Sequence, residues 1–292
     1  MKVVAPVTRP ALQARGRTLT FDRTRIMGII NTTPDSFSDG GDFLDSQHAI
    51  HHGISLVKAG AEILDIGGMS TRPGAGDIPV SEECDRVLPV VRGLVEACPG
   101  ALLSIDTFRP EVAQAALAEG AHLVNDVRGL LDAPDLAVLA SEFQAGLVLM
   151  HSPGRSDVMQ KMTEYDQFPD DIIRSLGHSV EIAEQAGVSR ESIVIDPGFG
   201  FGKTWPQNVT LLQELAQFHE LGLPILVGLS RKSFLGWLTG LDSPKERDPA
   251  SHAAMVLAVA AGSHIIRTHD VAGAQQARVV TDAVLHGIAP AQ

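Results

Sequence analysis

A closed (β/α)8 barrel is the architecture this sequence predicts, and three observations predict it. Eight short apolar runs alternate strictly with segments of helical spacing. The runs end at polar residues or glycine, and most of the helical segments end at a glycine suited to a C-cap. Nothing resembling a linker divides the chain, and its 292 residues fit one barrel of this type. The same alternation also allows an open doubly wound sheet, the runner-up.

Residues 1–16 lack periodicity and contain Pro6 and Pro10, so they read as an N-terminal tail, leaving 17–292 for the barrel. The alternating stretch 17–22 can form one arm of a short hairpin. Strands are predicted at 26–30, 63–66, 102–105, 123–124, 147–150, 193–195, 225–229 and 264–266. Helices are predicted at 46–60, 81–97, 110–119, 134–145, 170–187, 207–221, 249–262 and 270–286, with a further helical pattern starting at Phe234. Ser81, followed by Glu82 and Glu83, reads as an N-cap with acids in the first turn. Pro110 and Pro134 stand where first turns accept proline. Gly60, Gly120, Gly146, Gly187, Gly222 and Gly262 fall at or just after helix ends.

Composition narrows the function. Hydrophobic residues make up 44% and aromatic ones only 4%, a core of aliphatic strands and helices. A net charge of −12 argues against nucleic acid or an anionic membrane as partner. Cys84 and Cys98 lie too far apart on one helix to bridge, which points to a reducing, cytoplasmic setting. No continuous apolar stretch follows Lys2 and Arg9, so no signal peptide is expected, and the longest apolar run, 253–262, is too short to span a bilayer.

In a barrel of this type all strand C-termini meet on one face. The polar residues that follow the runs would therefore converge. Asn31 opens a long Gly-rich loop and could ligate a hard cation or simply cap a turn. Arg72, on a second flexible loop, can grip a phosphate bidentately. Asp106, Asn125, Asp126 and Asp196 would ring a cavity suited to a flat heterocycle rich in N–H donors. The stretch 225–233 carries Ser230, Arg231, Lys232 and Ser233 from a buried strand to a helix start, a natural anion site. Arg267 and His269, two apart, would point to one side of the last strand. Arg72, Lys232, Arg267 and His269 then form a cationic patch on an acidic protein, a phosphate or pyrophosphate subsite.

These motifs, at 27–41, 67–75, 104–107, 125–127, 196–203, 228–233 and 267–271, together resemble dihydropteroate synthase. The resemblance implies a TIM barrel that joins 6-hydroxymethyl-7,8-dihydropterin pyrophosphate to p-aminobenzoate in folate synthesis, releasing pyrophosphate with Mg2+ present. It implies that Asp106, Asn125, Asp196 and Lys232 hold the pterin, with Arg267 against its ring and Phe201 and Met150 walling the pocket. Asn31, Thr71, Arg72, Arg267 and His269 would surround the pyrophosphate, with Asn31 on the metal. Ser233 would face the p-aminobenzoate carboxylate, flanked by Phe37 and Pro73. A cytoplasmic homodimer and competition by sulfonamides are implied as well.

Four residues, at three places, depart from the family pattern. Met69 stands where a glutamate is usual, Ser152-Pro153 follow His151 in place of Met-Gln, and Thr268 replaces an aliphatic residue. Met69 keeps open a catalytically silent pterin-binding homologue. A pterin-dependent corrinoid methyltransferase would share the carboxylates but has no use for the cationic patch.

Overall fold

Alternation in the sequence becomes alternation in space. The computed structural model describes residues 11–32, 42–69, 77–154 and 158–288. Strands β3 (Arg25–Asn31), β4 (Ile63–Gly67), β5 (Leu102–Asp106), β6 (Leu123–Asp126), β7 (Gly146–Met150), β8 (Ile193–Asp196), β9 (Leu226–Val227) and β10 (Ile265–Thr268) form one parallel sheet. Its order is β8-β7-β6-β5-β4-β3-β10-β9. A parallel bridge between Ile195 and Ile225 joins the two ends, with Ile195 N–H donating to the Pro224 carbonyl at 3.0 Å. That closure decides for the barrel over the open sheet.

The intervening helices are α1 (Asp42–Lys58), α2 (Val80–Ala97), α3 (Pro110–Ala118), α4 (Asp135–Glu142), α5 (Asp170–Gln185), α6 (Trp205–Gln213), α7 (Ser233–Thr239), α8 (Asp248–Ala260) and α9 (Val271–His286). Several helix boundaries differ from expectation. Helix α1 begins at Asp42, ahead of 46, and the segment predicted at 207–221 is α-helical only to Gln213 and then a 3-10 turn over Leu215–Leu221. Helix α4 stops at Glu142, because Gly146 already pairs with Leu123 as the first residue of β7. Helix α2 begins after Pro79, so Ser81 lies inside it and does not cap it. Among the described residues no helix is long and apolar enough to cross a membrane. Cys84 and Cys98 are both free.

The tail assigned to 1–16 ends too late. Ala11–Ala14 form strand β1, antiparallel to β2 (Arg17–Thr20) around a turn at Arg15 and Gly16. The physical reason is burial: Leu12 and Ala14 are fully buried and pack into the open bottom of the barrel. Arg15 ties the hairpin down by donating to the carbonyls of Leu117 and Ala121 at 2.6 and 2.7 Å.

Strand periodicity separates two cores. Met27, Ile63, Leu102, Leu123, Val148, Val194, Leu226 and Ile265 point into the barrel and meet the hairpin. Their neighbours, among them Ile26, Leu64, Leu103, Val124, Leu147, Ile193 and Ile266, pack outward against the helices. Side chains on a strand repeat every second residue. Two positions beyond the apolar inner layer stand Asp65, Ser104, Asn125, Met150, Asp196 and Arg267. The interior thus changes from apolar to polar within one pleat.

Candidate active site

Four strands, β4, β5, β6 and β10, deliver their polar residues to one point in that upper layer. Arg267 on β10 is forked between two carboxylates, Nε donating to Asp65 Oδ2 at 2.6 Å and Nη2 to Asp106 Oδ2 at 2.7 Å. Asn125 donates its Nδ2 to the same Asp65 oxygen at 3.0 Å. Oδ1 of Asp65, Oδ1 of Asp106 and Ser104 Oγ are buried without a hydrogen-bond partner among the described residues. Buried acceptors of this kind call for donors from a bound molecule.

Opposite stands the end of β8. Asp196 is buried, and its Oδ1 accepts the Gly198 N–H at 2.8 Å. Gly198, Gly200 and Gly202 all take positive φ, at 73°, 81° and 58°, so the loop folds back tightly where a Cβ would clash. Tyr165 Oη donates to the Gly202 carbonyl at 2.7 Å, and Lys203 Nζ to those of Gly198 and Phe201 at 2.9 and 3.0 Å. Held this way, the loop sets the Phe201 ring under Lys232, whose Nζ lies 4.3 Å from the ring centroid. That is cation–π distance.

Burial shifts several of the charges here. It pushes Asp106 up to about 7, with Arg267 pulling in the other direction. Asp196 rises to about 6 for the same reason, opposed by the Gly198 N–H and Lys232. Lys232 is lowered to about 8 and Lys203 to about 7, again by desolvation, with Asp196 working to keep both charged. Burial also works against the charge on Arg267, but Asp65 and Asp106 outweigh it and raise the group above its ordinary value.

His269 is a neutral donor. Burial, then Arg231 and Arg267, lower it to about 3. Its Nδ1 lies 2.9 Å from Ser230 Oγ, which already accepts the His269 backbone N–H at 3.2 Å. The Ser230 hydroxyl can donate its proton to Nδ1, and in that tautomer the ring carries its own proton on Nε2.

Of the residues expected from sequence, Asp106, Asn125, Asp196, Phe201, Lys232 and Arg267 come together. Met150 is buried at the end of β7, and Asn31 ends β3 half-buried. Ser233 opens α7 and is exposed. Phe37, Thr71, Arg72 and Pro73 lie outside the described residues. Asp126 is a correction, because its side chain caps the following turn. Its Oδ1 and Oδ2 accept the N–H groups of Arg128 and Leu130 at 2.8 and 2.6 Å. Adjacent strand positions face opposite ways, so Asn125 and Asp126 cannot both look inward.

Sequence reading missed Asp65, Lys203 and the Ser230–His269 pair. The signal for Asp65 was an acid two residues after Ile63 within a buried run, on the inward side. Glu83 is a first-turn acid of α2, as expected, and is also fully buried against Thr107 Oγ1 at 2.9 Å and Arg109 at 3.0 Å. It packs beside Gly68, at the base of the loop that carries Met69. Met69 itself is half-buried.

Among the described residues no three His, Cys, Asp or Glu side chains come together as a metal cage. Asn31, half-buried at the end of β3, offers an amide oxygen of the kind a hard cation takes.

Comparison with known proteins adds three findings. Residues 27–269 match the family model described as pterin binding enzyme. A dihydropteroate synthase of Synechocystis sp. is 44% identical over 272 residues, 92% of this chain and 93% of that one. Among solved structures, a Xanthomonas albilineans dihydropteroate synthase with 4-aminobenzoic acid superposes with a TM-score of 0.89 at 46% identity, covering 96% of this chain and 99% of that one. The same enzyme with 7,8-dihydropteroate gives 0.86 at 43%, with 95% and 99% covered.

Proposed function

The chain belongs to the pterin-binding enzymes, as a dihydropteroate synthase, and from that premise we propose how its rim residues divide the work. The enzyme is a transferase of folate synthesis that condenses 6-hydroxymethyl-7,8-dihydropterin pyrophosphate with p-aminobenzoate, giving 7,8-dihydropteroate and pyrophosphate. One observation carries the assignment of roles: Arg267 fixed between Asp65 and Asp106. Open carboxylate oxygens beside a fixed cation support a reading in which the acids take the pterin N–H groups and Arg267 its ring and leaving group.

Asp106, Asn125 and Asp196 hold the pterin edge, Lys232 binds its acceptor side, and Met150 and Phe201 wall the pocket. Asp65 joins this set by orienting Arg267. Cleavage of the methylene C–O bond sends its electron pair to pyrophosphate and leaves a cationic carbon conjugated with the pterin, an SN1-like displacement. The carboxylates of Asp106 and Asp196 favour that positive charge. Arg267 and His269, through Nε2–H, meet the growing negative charge, as do Thr71 and Arg72 in this reading. One such preorganised contact is worth about 3 kcal/mol in the transition state. Mg2+ bound to the pyrophosphate and Asn31 would add charge neutralisation at the leaving group.

The aniline nitrogen then forms the C–N bond and gives up a proton to solvent, so no strong base is required. Ser233 faces the p-aminobenzoate carboxylate at the start of α7, with Phe37 and Pro73 flanking the ring. The cations gathered on one rim favour this reading over the methyltransferase. A homodimer through the outer helices belongs to the proposal, supported by exposed Leu257, Val280 and Val284 on α8 and α9. A cytoplasmic location is supported by the free cysteines. Pyrophosphate release by purified protein given both substrates tests the assignment. Release with either substrate alone, or none with both, refutes it.

A further inference from the structure

We propose that Asp248 is a positioning residue. Acting through Arg231, it holds the turn between β9 and α7 in the conformation that sends Ser230 and Lys232 to the rim. The inference rests on the roles given above to Lys232 and His269.

Arg231 has a φ of 60°, a left-handed backbone that a residue with a long side chain adopts only under constraint. It sits between the hydroxyl that orients His269 and the ammonium that meets Phe201. The constraint comes from one place, α8 and the turn before it. Asp248 takes the Arg231 guanidinium in a fork, Nε to Oδ1 at 2.7 Å and Nη2 to Oδ2 at 2.8 Å. Ser251 Oγ accepts the Arg231 backbone N–H at 2.9 Å and donates to the Arg247 carbonyl at 2.8 Å. Arg247 Nη1 closes the set by donating to the Arg231 carbonyl at 3.2 Å.

Side chain, amide and carbonyl of one strained residue are thus all held from outside its own loop. Released, residue 231 would relax to negative φ and turn the following Lys232 away from Phe201 and Asp196. Charge is not what Asp248 contributes in this account. It fixes a backbone rotation.

Alanine and glycine at position 231 separate the two possibilities. Both remove the cation and its ion pair, but only glycine takes the left-handed conformation without strain. Arg231→Ala is expected to lose about tenfold in kcat/KM for the pterin substrate, the order that relaxation of such strain allows. Arg231→Gly stays within about twofold of wild type. Asp248→Asn falls several-fold, and Asp248→Asn with Arg231→Gly returns to the level of Arg231→Gly alone. Equal losses for alanine and glycine overturn the proposal, as does a double variant that falls as far below Arg231→Gly as Asp248→Asn falls below wild type. Losses that follow the melting temperature and ignore the side chain at 231 overturn it too. Turnover by the wild-type protein tests the family reading separately, so the two failures are distinguishable.

Discussion

The two ends of the barrel both bury charge, and they do it differently. At the bottom Glu62 accepts from Arg23, Arg25 and Arg278 through Oε1, at 3.0, 3.4 and 2.9 Å, and from the Ile26 N–H through Oε2 at 2.9 Å. Asp282 nearby takes the hydroxyl and amide of Thr24. Both oxygens of each acid are engaged there, and among the described residues the one buried atom of that network without a partner is a nitrogen, Arg23 Nε. At the top the groups left over among the described residues include carboxylate oxygens of Asp65 and Asp106 and the Ser104 hydroxyl. A closed network fixes a fold, whereas open buried acceptors mark where a ligand completes it. Charge alone does not tell a site from a clamp; the unmatched atoms do.

Breaking each end should therefore read out in different assays. Lys232→Ala and Arg267→Ala are expected to cut kcat/KM by about a thousandfold, which steady-state pyrophosphate release measures. Near wild-type rates for either would place the site elsewhere. Glu62→Ala should cost about 3 kcal/mol of stability, since it strands buried guanidinium groups, while turnover of the folded fraction persists. Denaturant titration beside kinetics checks this, and a selective loss of turnover would erase the contrast between the two ends.

The pH profile sharpens the comparison further. Asp106 at about 7 and Asp196 at about 6 must be ionised to accept pterin N–H groups, so kcat/KM should fall as pH drops through that window. Lys232 at about 8 must be charged, so activity should also fall as pH rises past it. A bell centred between these limbs is expected, and a flat profile from pH 5 to pH 9 would contradict it. Smallest of all, Ser230→Ala should raise KM for the pyrophosphate substrate by about fivefold through a freed His269 tautomer, with kcat less affected.

Eight apolar runs made the barrel legible, because burial on both faces of a parallel strand leaves an unmistakable hydrophobic signature. Asp106, Asn125, Asp196, Lys232 and Arg267 were legible too, since each stands at or near the end of such a run. Asp65 was not. Inside an apolar run a single acid gives no sign of what faces it, and its partner Arg267 lies at the far end of the chain. The hairpin arm at 11–14 was equally hidden, because four residues carry too little periodicity to outweigh the prolines before them.

By itself, then, the sequence determined where the barrel strands lie and most of the chemical types placed at the rim. These follow from local rules of spacing and burial. Only the tertiary structure decided which acid meets which cation, which carboxylate oxygens stay open, and that Arg231 is held left-handed from α8. Those depend on distances between strands and helices far apart in the chain, and no local rule contains them.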